Sequence, residues 1–116
     1  MAMTGVNDQS AKELKLDYDS VMVRTRNKSG YYPGGSELYI KLTFLKKDGK
    51  IIGAQLFGKE GSAIRIQGLV TAVYAGLTVY DLAYMDFGYI PPLNSVWDSI
   101  NVAARKAVSK YERRKE

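Results

Sequence analysis

The sequence contains no cysteine and no histidine among its 116 residues. Without cysteine there is no disulfide framework, no thiolate metal site and no thiol nucleophile. Without histidine, serine-histidine triads and histidine-ligated metals are excluded as well. No apolar run reaches the roughly 20 residues that a membrane-spanning helix needs, and the opening residues lack a signal-peptide pattern. No membrane partner and a cytoplasmic location are therefore expected. The length suits one domain with one core.

Hydrophobic residues make up 46% of the chain and charged residues 25%, an ordinary balance for a globular domain. The net charge is +5, and Arg105, Lys106, Lys110, Arg113, Arg114 and Lys115 supply much of the excess. Such a cluster reads either as a solvated helix end whose cations favour the C-terminal dipole, or as a site for a polyanion. Tyrosine is abundant, with 9 copies against 3 Phe and 1 Trp. Its ring and hydroxyl together suit interfaces.

Hydropathy divides the chain into strands followed by helices. Met1 to Leu16 reads as a linker or the remnant of an upstream junction, with a possible helical turn over Ser10 to Leu16 anchored by Leu14 and Leu16. Val21 and Val23 share one face of a first strand, Asp19 to Thr25. A loop rich in Gly, Pro, Ser and Asn follows and carries Tyr31 and Tyr32 before Pro33. Leu38, Ile40, Leu42 and Phe44 alternate with polar residues in a second strand. Asp48-Gly49 predicts a hairpin turn into a third strand, Ile51 to Phe57, where Gly53 marks a bulge or a close approach.

Ile66, Val70, Val73 and Leu77 predict one face of a helix that begins near Ser62 and closes at Gly76. Thr78 and Asp81 form a capping box for a second, shorter helix. The last helix starts at Ser95, with Trp97, Ile100, Ala104, Ala107 and Tyr111 along one side. Three strands and then three helices argue for an α+β fold, an antiparallel sheet of three or more strands with helices on one face. The expected divisions are 1–16 linker, 17–112 domain and 113–116 basic tail.

Few residues carry obvious chemistry. Gly58-Lys59-Glu60-Gly61 lacks the spacing and ending of a phosphate loop and reads as a tight turn. Asp81 and Asp98 sit at capping positions, so with Asp86 they make no acid-base pair. Tyr89-Ile90-Pro91-Pro92 is the most unusual stretch. Two consecutive prolines stiffen and extend the backbone, so the tyrosine before them is presented rather than left to wander.

Taken in order, these motifs resemble a known family. Tyr31-Tyr32-Pro33-Gly34, Lys41-Leu42, Gly53-Ala54-Gln55, Gly58-Lys59-Glu60-Gly61 with Arg65-Ile66, and Leu77-Thr78-Val79 with Asp81-Leu82 come first. Tyr89-Ile90-Pro91-Pro92 and Trp97-Asp98-Ser99-Ile100-Asn101 with Ala103-Ala104 complete the series. The stretch from Asp17 to Ala107 resembles the C-terminal dimerisation domain of FAD- and NAD(P)H-dependent disulfide reductases. Within that superfamily it is most similar to the coenzyme A-disulfide reductase, NADH oxidase and NADH peroxidase branch.

The resemblance implies a homodimeric parent whose FAD, NAD(P)H and redox cysteine belong to upstream domains. This chain alone would then bind no cofactor and would not be a complete enzyme. It also implies that Tyr31 and Tyr89 act in trans at the partner's active site, with Tyr32 the alternative to Tyr31. After Gly61 the family usually shows Asp-Lys-Arg-Ile-Asp, whereas this chain has Ala63-Ile64-Arg65-Ile66-Gln67. A parent of NADH oxidase or polysulfide-reductase type is therefore also open. The competing expectation is a free-standing basic module that binds RNA or another polyanion.

Overall fold

A computed structural model describes residues 1–26, 37–58, 62–85 and 99–115. Its elements in chain order are β1 (Ala2–Gly5), α1 (Asp8–Glu13), β2 (Tyr18–Arg26), β3 (Glu37–Leu45), β4 (Ile51–Gly58), α2 (Ser62–Ala75), α3 (Val79–Tyr84) and α4 (Ser99–Lys115). The four strands form one antiparallel sheet in the order β1-β4-β3-β2.

The alternation read in the sequence sets the two faces. Leu38, Ile40, Leu42 and Phe44 of β3 are fully buried, and Val21, Val23, Ala54 and Leu56 join them on the same side. Helix α4 packs over β2 and β3, while α2 packs over β4 and β1. Ile100, Ala103, Ala104, Ala107, Val108 and Tyr111 form the buried side of α4. Alanines there let the helix backbone approach the sheet closely. Phe44, Tyr111 and Tyr80 then stack edge to face at the hairpin end, with ring centroids 6.4 and 5.9 Å apart.

The hairpin between β3 and β4 turns at Gly49, whose φ of +76° is the left-handed value that the Asp-Gly pair predicts. The register shifts between Thr43 and Phe44, so that Thr43 pairs with Gly53 while Phe44 pairs with Ile51. Ile52 is the extra residue of this bulge. Gly53 is a close approach as well, since a Cβ there would lie 1.8 Å from the carbonyl oxygen of Val6. The capping box forms as predicted: the Asp81 backbone N–H donates to Thr78 Oγ1 and the Thr78 N–H to the Asp81 carboxylate.

Three expectations change. The stretch read as linker supplies a strand and a helix. Residues 2–5 pair with β4 at the edge of the sheet, and the helix spans Asp8–Glu13, capped by Asn7, whose side chain accepts from the Ser10 N–H. Its buried residue is Ala11, while the expected anchor Leu14 is exposed. Four residues of period-2 pattern are too few to stand out when a neighbouring strand does the stabilising. On α2 Ile66 faces inward as expected, with Val73 and, just beyond the helix, Leu77 packed against the core; Leu69 and Ala72 join them, and Val70 points outward. The helix is apolar most of the way round, so periodicity alone could not choose its face.

The open face of the sheet is graded along its length. The cross-strand row Gly5–Gly53–Thr43–Ser20 is small, and Thr43 is buried there. The next row is Met3–Gln55–Lys41–Met22, and beyond it runs Phe57–Tyr39–Arg24. Lys41 reaches from this face to pair with Asp8 of α1. Three helices therefore cover one face, and α1 is tied to the near part of the other.

Candidate functional site

Tyr31, Tyr32 and Tyr89 lie outside the described residues, as do Trp97, Asp86 and Asp98. The residues from which their two segments depart are described, and they converge. Arg26 pairs with Glu37 at one end of the sheet, so 27–36 leaves and returns there. One residue earlier, Thr25 Oγ1 and Ser99 Oγ share a hydrogen bond. Ser99 is the first residue of α4 and is buried. Both tyrosine-bearing segments, 27–36 and 86–98, are thus rooted at one end of the molecule.

Buried polar groups hold those roots. Asn101 is buried, and its Nδ2 donates to the carbonyl of Leu82 at 2.9 Å and to that of Met85 at 3.0 Å. These carbonyls are at the C-terminal end of α3, which its helix leaves without intrahelical partners. One amide therefore fastens the exit of α3 to the entry of α4. At the other end of α3, Val79 N–H donates to Gly49 O and Ile51 N–H to Leu77 O, fixing its start to the hairpin. Helix α3 spans from the hairpin to the end that carries the tyrosine segments.

Several charges among the described residues are engaged in structure. Lys106 Nζ donates to the Met22 carbonyl at 3.0 Å and Lys110 Nζ to the Ser20 carbonyl at 2.8 Å. Lys110 also pairs with buried Asp19 at 2.9 Å. Two cations of the basic cluster thus close the outer edge of β2, a common guard against edge-to-edge pairing. Arg24 pairs with Glu37 at 3.6 Å, and Tyr39 Oη donates to the same carboxylate at 3.0 Å. Tyr80 Oη donates to Glu112 at 2.8 Å. That carboxylate accepts the phenol's hydrogen bond, which favours the protonated phenol and raises the Tyr80 pKa to about 12, with burial adding to the shift.

A dinucleotide site needs a parallel βαβ crossover with a glycine-rich turn aimed at the pyrophosphate. This sheet is antiparallel throughout, and the described residues do not fit FAD or NAD(P)H. Sequence reasoning gave no role to Thr25, Ser99 or Asn101, although Ser99-Asn101 fell within a quoted motif. A polar residue at a helical core position was the available signal.

The described residues thus form an antiparallel sheet with helices on one face, a second face of mixed polar and apolar side chains, and two loop roots gathered at one end. The sequence model of the pyridine nucleotide-disulphide oxidoreductase dimerisation domain matches residues 1–100, and the chain belongs to that family. It is 34% identical to the NADH oxidase of Methanocaldococcus jannaschii over 107 residues, covering 92% of this chain and 24% of that protein. It is 36% identical to the coenzyme A disulfide reductase of Staphylococcus epidermidis over the same length and shares. Among solved structures, a NAD-dependent persulfide reductase from A. fulgidus superposes with a TM-score of 0.92 at 37% identity, over 96% of this chain and 20% of that one. The water-forming NADH oxidase of Lactobacillus brevis has the same fold at 22% identity, also with a TM-score of 0.92. The chain spans about a quarter of the length of the curated relatives it matches.

The fold and family expectations, including the reductase and oxidase branch, hold. No observation favours the polyanion-binding alternative.

Proposed function

We propose that this chain joins two subunits of a homodimeric disulfide reductase or NADH oxidase and hands Tyr31 and Tyr89 to the partner's redox centre. The observation that supports this most is the shared root of the two tyrosine segments, bound by the Thr25–Ser99 hydrogen bond and the Asn101 amide. Residues brought to one end of a rigid sheet can act on one target. FAD, NAD(P)H and the redox cysteine belong, on this reading, to other domains of the parent, where the cofactors supply the reducing equivalents.

The tyrosines' contribution follows from their chemistry. A phenol with a pKa near 10 stays protonated at neutral pH. It donates a hydrogen bond to a thiolate and can share its proton with a departing thiol. Phenylalanine keeps the ring and removes both actions.

The test is a Tyr31→Phe/Tyr89→Phe double variant of the parent enzyme. Turnover with the disulfide substrate should fall by about 10²-fold or more, the usual scale for a positioned proton donor. The dimer mass should not change. Wild-type kinetics in that variant would remove the tyrosines' role and leave the dimerisation role standing.

A further inference from the structure

The two ends of the domain are fastened by different means. At the hairpin end, backbone bonds hold the start of α3, Val79 N–H to Gly49 O and Ile51 N–H to Leu77 O. At the end that roots the tyrosine segments, side chains make the ties. Of the five polar or charged residues buried among the described ones, Ser99 and Asn101 both fall in the first turn of α4. Ser99 Oγ bonds Thr25 Oγ1 across 74 positions of chain. Asn101 Nδ2 holds the carbonyls of Leu82 and Met85.

Stability alone does not call for polar groups at this place. A hydrogen bond nets only about 0.5–1.5 kcal/mol, and apolar side chains of the same shape can replace a bonded pair at little cost. A satisfied buried network adds something else, a fixed distance and register between the elements it joins. Met85 and Ser99 are the described residues on either side of 86–98, and Asn101 ties the first to the helix that begins at the second. Thr25 lies one residue before Arg26, after which 27–36 departs. The Thr25–Ser99 bond therefore joins the base of one tyrosine segment to the base of the other.

We infer that Thr25, Ser99 and Asn101 are positioning residues for the redox step, which set where Tyr31 and Tyr89 stand relative to each other. This rests on the function proposed above, whose two phenols it places. The three side chains act through the tyrosines and on no substrate atom. A shift of about 1 Å at a reacting group can cost roughly 10²-fold in rate. Loss of one tie should therefore show in turnover while the fold and the dimer persist.

The test is a double-mutant cycle in the full-length parent enzyme. It is assayed with NADH and with coenzyme A disulfide or oxygen, whichever the unsubstituted enzyme reduces. Thr25→Val removes the hydroxyl, keeps the shape and suits a strand. It should lower kcat about 10-fold and leave the KM for NADH, the FAD content and the dimer mass unchanged. Ser99→Ala should lower kcat in the same way, since it breaks the same bond. Thr25→Ser keeps the hydroxyl and should restore turnover. On the Tyr31→Phe/Tyr89→Phe background, Thr25→Val should cost nothing further, because the proton donors it positions are gone. An equal loss on both backgrounds would show a purely structural role and overturn the inference. So would full turnover in Thr25→Val and Ser99→Ala. Wild-type kinetics in the tyrosine double variant would instead refute the tyrosines' role itself, and this inference with it.

Discussion

Asn101 shows how one side chain can organise a site it does not enter. It is fully buried, and it satisfies two carbonyls at the end of α3 from within α4. Alanine would take this partner from both acceptors, at a cost of about 1–3 kcal/mol. Asn101→Ala should therefore lower stability in chemical denaturation by that amount, with the slope of the transition unchanged. Tyr80 offers a second test at the same scale. Its phenol pKa, raised to about 12 by the Glu112 carboxylate, exceeds the value near 10 of an unfolded chain. The folded state then holds this proton more tightly. The contribution is fully present below about pH 10 and is lost as pH rises toward 12. Tyr80→Phe should flatten that part of the stability profile, read by melting between pH 9 and about 12.

At the scale of elements, the bulge between β3 and β4 decides how the chain enters the sheet. Gly53 leaves room for the carbonyl of Val6 just where β1 gives way to the turn before α1. Gly53→Ala would push these backbones apart and should cost about 1–3 kcal/mol, as overpacking does. Gly68 is the contrasting case. It is exposed on α2, and a Cβ there meets only Ile100 Cδ1 at an ordinary 3.9 Å. Gly68→Ala should stabilise by roughly 0.5–1 kcal/mol through helix propensity. A denaturation series on the two variants separates close approach from simple flexibility.

Much at this scale could be read in advance. The alternation of β3, the Asp48-Gly49 turn, the Thr78–Asp81 capping box and the inward side of α4 all follow from local patterns. Strand β1 was not legible, and helix α1 was read only as a turn over Ser10 to Leu16, two residues late. Ala2–Gly5 is held by its pairing with β4, and nothing within four residues announces a partner fifty residues away. On the inward face of α2 one position was misread, because Val70 and Leu69 differ only in which one meets the sheet.

For the whole molecule, the two faces of the sheet have different tasks. One is sealed by α2 and α4, and its outer edge at β2 is closed by Lys106 and Lys110. The other is left partly apolar, and the tyrosine segments are rooted at its end. A domain whose family is defined by dimerisation draws stability from its partner by mass action. In a homodimer joined through this domain, the melting temperature should rise as protein concentration increases a hundredfold. A constant value would show that the fold stands without its mate.

The sequence by itself determined the class of fold, the main strands and caps, and the family, because these rest on local periodicity, on turn chemistry and on an ordered series of motifs. Only the tertiary structure decided that the first residues complete the sheet and that, among the described residues, Met22 and Phe57 on the sheet's second face stay exposed. It alone showed that 27–36 and 86–98 spring from one corner. Each of these depends on residues distant in the chain meeting in space, as Thr25 meets Ser99 and Val6 meets Gly53. No local pattern encodes such a meeting.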